Sequence, residues 1–160
     1  MIQALQTSKR FNLSNDRLEL TDAGGTVQLH FRPATLLPLA GITWRLASYS
    51  AGTSPVDGTE ISLAFRTDRT LTGIAGCNDY SADYEVNADQ LILGPITHTE
   101  KACLEPDGVM NQETDYLNTI RQTASFTTTL TGLELLDSRG IPIAEYQFGG
   151  RIRNTAAGTG

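Results

Sequence analysis

"LTGIAGCNDYSADYEV", residues 71–86, sets Cys77 behind two glycines, Gly73 and Gly76, and directly before Asn78, then runs into alternating acidic and aromatic or small residues. In an extended chain Asp79, Asp83, Glu85 and Asp89 share one face against Ala82, Tyr84 and Val86. That alternation marks a strand with a solvated acidic face, and its spacing does not fit a calcium-binding loop. Gly73, Gly76 and Asn78 are read as serving backbone geometry, a bulge or a positive φ beside the cysteine. Tyr80 and Tyr84 are read as packing against the barrel end, with lining a groove as the alternative.

Outward from this stretch the chain is a series of short β-type runs. "TWRLASY" (43–49), "EISLAF" (60–65), "YEV" (84–86), "LILGPI" (91–96), "LELLD" (133–137) and "IPIAEYQF" (141–148) alternate apolar with polar positions or are rich in branched residues. "TDRT" (67–70), "NADQ" (87–90), "LTG" (130–132) and "DSRG" (137–140) supply turn residues between them. Close reversals favour neighbouring antiparallel strands over parallel crossovers. One segment differs: after Pro106, Val109, Met110, Glu113, Tyr116, Leu117 and Ile120 recur at helical spacing, with Asp107 as the expected N-cap and Arg121 near the far end. Trp44, the only tryptophan, is expected to anchor the core, with ligand stacking as the alternative.

The 160 residues are 39% hydrophobic, enough for one ordinary domain core and a fragment of something else. Eighteen acidic against twelve basic residues give a net charge of -6, with no basic cluster to follow a phosphate backbone, so nucleic acid is not an expected partner. No apolar run approaches the roughly 20 residues of a membrane span. The start MIQALQTSKR lacks the apolar core of a secretory signal. A soluble chain is expected, with any export signal removed or upstream.

"FNLSNDRLELTDAGG" (11–25) aligns without gaps on "FTTTLTGLELLDSRG" (126–140) at a constant offset of 115. Phe11/Phe126, Leu18/Leu133, Glu19/Glu134, Leu20/Leu135, Asp22/Asp137 and Gly25/Gly140 are identical. Residues 1–33 are therefore read as the closing hairpin of a preceding repeat and 34–40 as a linker. A complete second copy spans 41–148, and 149–160 form a disordered tail.

Taken together, W-x-L (44–46), the strand G-T-E-I-S-L-A-F (58–65), G-x-A-G-C-N-x-Y (73–80) with Tyr84 four residues on, T-x-T-x-x-A-C (97–103), E-x-x-Y-L (113–117) and L-E-L-x-D-x-x-G (133–140) resemble the META domain, the HslJ-like family also called DUF306. The resemblance implies a mainly β fold with one helix (α+β), a small antiparallel barrel, often exported or lipid-anchored in the cell envelope. It carries associations with heat shock and stress but no agreed catalytic activity. The motif positions it marks as structural are Trp44, Gly76, Asn78, Tyr80, Tyr84, Asp137 and Gly140.

Cys77 and Cys103 lie 26 positions apart. A disulfide between them is the favoured reading in an oxidising compartment, with two buried free thiols as the alternative. A zinc site is disfavoured, because only His30 and His98 are available to join the thiols and no ligand spacing is present. A Cys77–His98 nucleophile pair lacks an evident orienting group. The expected function is a non-catalytic envelope, periplasmic or secreted module with no catalytic residue, metal or cofactor. It is expected to bind a protein, peptide or small apolar ligand through the barrel mouth or a sheet edge, as a monomer or a hairpin-swapped dimer. The alternative is a passive structural or stress-protective spacer in a tandem-repeat protein.

Overall fold

The computed structural model describes residues 10–14, 17–31 and 37–152. Residues 1–9, 15–16 and 32–33 of the expected hairpin, 34–36 of the expected linker and 153–160 of the expected tail lie outside the described residues. The chain divides into two compact units, Met1–Thr35 and Leu36–Gly160.

The first unit holds a three-stranded antiparallel sheet in the order β1 (Arg10–Ser14), β2 (Arg17–Thr21), β3 (Val27–Phe31). The second holds β4 (Ile42–Tyr49), β5 (Ile61–Phe65), β6 (Thr70–Ala75), β7 (Asp79–Asn87), β8 (Gln90–Leu93), β9 (Thr97–His98), α1 (Val109–Ile120), β10 (Ser125–Thr128), β11 (Gly132–Leu136) and β12 (Pro142–Arg151). The strands pair in the order β6-β5-β4-β12-β11-β10-β8-β7, and β6 pairs back on β7. The result is a closed eight-stranded antiparallel barrel, which leaves those strands no free edge. Its narrowest seam joins β8 to β10, where Ser125 faces Gln90 and the Leu91 and Phe126 amides donate to the Ala124 and Asp89 carbonyls at 3.0 and 2.9 Å.

The period-2 pattern explains the curl. Along β4, Ile42, Trp44 and Leu46 point inward, and along β7 so do Tyr80, Ala82 and Tyr84, while Asp79, Asp83 and Glu85 face solvent as the alternation predicts. Asp89 lies in the β7–β8 turn instead. Eight strands enclose just enough space for side chains to fill, and Trp44, Phe65, Leu71, Leu91, Leu133 and Leu135 fill it with 1% exposure or less. The Trp44 indole N–H donates to the Leu39 carbonyl at 3.1 Å, so the anchor is also satisfied as a polar group. Helix α1 lies against β6 and β12 and buries Val109, Tyr116, Leu117 and Ile120.

Three expectations are corrected. Asp107 does not cap α1: Gly108 occupies the N-cap position with φ 84°, and no side chain bonds to the first turn. A left-handed φ suits glycine, so the chain enters the helix through backbone geometry. Residues 149–151 are strand and not tail, because β12 continues to Arg151, with Gly150 opposite Thr43 and Arg151 opposite Ile42. A β-carbon on Gly149 would stand 2.8 Å from the Thr43 carbonyl, which is why this end of the strand reads as glycine and not as an apolar run. Strand β7 begins at Asp79, not at Tyr84, and β6 and β10 add strands that the periodicity did not mark.

Candidate functional site

The motif at 76–78 is a junction of three elements. Gly76 adopts φ 103° between β6 and β7, and a β-carbon there would meet the Gln112 side-chain nitrogen at 2.8 Å and Val109 Cγ2 at 3.3 Å. Glycine is thus needed twice, for its φ and for the close approach of α1. Cys77 is bonded to Cys103 with a Cα–Cα distance of 6.0 Å, tying this turn to the approach of α1. The favoured cysteine reading holds, and neither sulfur is a free thiolate for a metal or a nucleophilic step.

Asn78, 1% exposed, uses its whole side chain. Its amide N–H₂ donates to Glu113 Oε1 at 2.8 Å and to the Lys101 carbonyl at 3.0 Å, and its Oδ1 accepts from the Thr99 hydroxyl and the Lys101 amide, both at 2.7 Å. The Asn78 backbone N–H donates to Glu113 Oε2 at 2.7 Å. Glu113, 4% exposed, therefore has each carboxylate oxygen met by a donor from one asparagine. Beside it Gln112 takes the Val56 amide on its Oε1 and donates to the Thr59 hydroxyl at 3.0 Å.

Below this junction the tyrosine hydroxyls form a chain. Tyr80 donates to the Ser62 carbonyl at 2.9 Å and lies 2.7 Å from the Tyr116 hydroxyl, which lies 3.0 Å from that of Tyr146. Gly73 has no side chain because a β-carbon would fall 2.6 Å from the Tyr80 ring. Tyr84 packs edge-on against Phe65 and donates to the Arg66 carbonyl at 2.6 Å. Burial pushes the Tyr80, Tyr116 and Tyr146 phenols well above their ordinary range, and it raises Tyr49 and Tyr84 as well. Since the unfolded chain ionises near pH 10, this contribution to stability is complete below about pH 10 and is lost as pH climbs further. Phenolate absorbance from the central three is expected to appear together with loss of the barrel's circular dichroism. Ionisation of all five at about pH 10 in a folded barrel would contradict this arrangement.

Asp137, 7% exposed, and Gly140, φ 76°, form the separate β11–β12 turn. Asp137 Oδ1 accepts the Arg139 and Ile141 amides at 2.9 and 3.0 Å, and Oδ2 accepts the Arg139 guanidinium at 3.0 and 2.7 Å. Bonding to the Ile141 amide, then to the Arg139 side chain, holds its carboxyl below the usual range. The D-x-x-G motif is accounted for as an Asx turn.

The outer face carries a groove of about 590 Å³, with Tyr80 and not Tyr84 among its lining residues. Ser62, Ala64, Thr72 and Ser81, small outward residues of β5, β6 and β7, line it together with Ile74 and Asp79, and β9 supplies Thr97 and His98, with Thr99 just beyond it. β9 pairs with β7 alone among the described strands. The Ser81 and Thr97 hydroxyls lie 3.1 Å apart, and His98 Nδ1 lies 2.8 Å from the Thr99 carbonyl. Outward-facing small residues on three adjacent strands were the available signal. Among the described residues, no three His, Cys, Asp or Glu side chains converge as a metal site would require, and no helix is long and apolar enough to cross a membrane.

Comparison with known proteins matches the META domain family model to residues 37–147. A protein from Burkholderia xenovorans solved by NMR shares the fold at TM-score 0.58 and 22% identity, covering 76% of this chain and 94% of its own. A DUF4847 family protein from Bacteroides vulgatus, a crystal structure, aligns at TM-score 0.52 and 11% identity over 71% of this chain and 96% of its own. No curated protein matches the sequence.

Proposed function

The chain belongs to the META domain family, and from that premise we propose that it is a non-catalytic envelope or secreted module that binds an extended peptide segment of a protein partner in the groove beside β9. The groove carries the reading. Its small hydroxyl side chains leave room for a backbone and offer hydrogen bonds, Ile74 supplies an apolar wall, and Asp79 and His98 stand at charged or titratable positions along it. A small apolar ligand in the barrel mouth is less well supported, because the interior is occupied by Trp44, Phe65 and the tyrosine chain. The Cys77–Cys103 bond fits an oxidising compartment such as the periplasm or the extracellular space. Stress association and lipid anchoring are consistent with that placement. The same filled, stapled interior favours the alternative, a passive spacer whose task is to remain folded.

Selection of a phage-displayed library of linear peptides on the full-length protein tests the reading, with Ala64→Arg as the filter. Ala64 faces outward, so arginine there fills the groove while the barrel core is untouched. Selected peptides are expected to bind the variant about tenfold or more weakly. Peptides indifferent to the substitution would move binding to another surface, and failure to enrich any peptide would leave the spacer reading in its place.

A further inference from the structure

The first unit repeats the closing strands of the barrel at the level of individual facing pairs. Phe11 faces Leu20 as Phe126 faces Leu135, Leu18 faces Phe31 as Leu133 faces Tyr146, and Leu20 faces Leu29 as Leu135 faces Ala144. Even the register shift recurs, between Leu20 and Thr21 and between Leu135 and Leu136. Asp22 Oδ1 accepts the Gly24 and Thr26 amides at 2.9 and 3.0 Å, as Asp137 does with Arg139 and Ile141, and Gly25 has φ 85° against 76° for Gly140. Every one of these pairs is offset by 115 residues. A shared turn fixes the register of the two strands it joins, but it does not fix the pairing of β1 with β2, which also matches that of β10 with β11.

The copies differ in what they bury. Leu133 and Leu135 are 1% and 0% exposed, whereas Leu18 and Leu20 are only half-buried, and Phe11 is 76% exposed where Phe126 packs on the core. In the barrel, β10 pairs with β8 and β12 with β4, whereas among the described residues β1 and β3 are the two edges of their sheet. A three-stranded sheet with an apolar face and two edges is marginal by itself.

We infer that β1–β3 is the closing sheet of a second META-type barrel, and that its partner is a half-barrel of the β4–β9 and α1 kind with side chains different from this chain's own. The internal copy specifies what the partner must offer: a β4-like edge for β3, a β8-like edge for β1, and an apolar interior for Leu18 and Leu20. It also separates that partner from residues 42–120. Ala144 faces Tyr49 across β12 and β4. Leu29 stands at the position of Ala144, so the partner carries a smaller residue where this chain has Tyr49. Phe31 stands at the position of Tyr146 and brings no hydroxyl, so the partner does not require the bond that Tyr116 makes here.

The experiment grafts the sequence of residues 11–31 onto positions 126–146 of the full chain. Both chimeras keep Gly132, where a β-carbon would meet the Tyr146 carbonyl at 2.6 Å. One carries leucine at position 144, as β3 does, and the other keeps alanine; a control carries residues 10–30 at the same positions, one step out of register. Urea unfolding is followed by Trp44 fluorescence and thiol titration. The alanine chimera is expected to unfold cooperatively with no titratable thiol, the leucine chimera to unfold at lower urea, and the control to show no cooperative transition. If neither chimera outperforms the control, β1–β3 is not a barrel-closing sheet. Equal midpoints for the two chimeras would make a second copy of this chain the better partner and overturn the partner proposed. Neither result bears on the groove.

Discussion

Asn78→Ala is expected to cost the barrel about 3 kcal/mol or more, a large share of the roughly 5–15 kcal/mol that holds a domain of this size folded. The magnitude follows from what is left behind. The side chain makes four hydrogen bonds, and its loss strips one donor from a carboxylate that is 4% exposed. A buried charged group without its partner retains the full desolvation cost of burial. Thr99 and Lys101 are exposed and recover bonds from water, so the loss concentrates on Glu113. Two companion variants separate this from simple cavity formation. Replacing Glu113 with leucine in the Asn78→Ala background should cost less than the sum of the single changes, because the stranded charge is then absent. Asn78→Asp puts a second carboxylate about where the amide nitrogen stood, 2.8 Å from Glu113 Oε1. Two carboxylates that close share a proton, so this variant should be weak at neutral pH and regain stability as the medium is acidified, the opposite of a depressed carboxyl. Urea midpoints across pH report all three. Additive single and double costs, or an Asn78→Asp variant indifferent to pH, would mean that Glu113 is not held by Asn78.

How far such a clamp is legible in advance depends on the range of the physics. Strand alternation is local, so β4, β5, β11 and most of β12 follow from period 2, and the helix from the 3.6-residue spacing of Val109, Tyr116 and Ile120. The likeness of residues 11–25 to 126–140 is legible because identity at a fixed offset needs no contact information. The disulfide is legible because two cysteines have one pairing. Strand β6 is hidden by Gly73 and Gly76, which weaken a β pattern but are demanded by Tyr80 and α1. Strand β10 is hidden by its threonines, and the start of β7 by its acidic face. The Asn78–Glu113 clamp spans 35 positions, and only Glu113 hints at it, as a charge on an otherwise apolar helical face. Such a residue signals a buried partner without identifying it. The groove emerges only when β5, β6 and β7 lie side by side, since each strand contributes one or two small outward residues that mean nothing singly.

Removing the staple should have an effect of similar size by a different route. Cys77 and Cys103 close a loop of 26 residues, and constraining the unfolded chain by such a loop is worth about 3.5 kcal/mol in the chain-entropy account. The loop contains β7, β8 and β9, and in the folded protein the register of β7 against β6 and β8 already positions both ends. Serine at both positions should therefore leave the barrel folded, with Trp44 still buried, while the urea midpoint falls. The slope of the transition is the sharper readout. An unfolded chain freed of the crosslink expands and exposes more surface, so the Cys77→Ser/Cys103→Ser protein should unfold with a steeper dependence on urea than the oxidised parent. Asn78 and the disulfide both fix the segment at 99–103, so the two losses should fall short of additivity when combined. A serine pair that lowers stability by less than about 1 kcal/mol with an unchanged slope would show that the bond is dispensable to the fold.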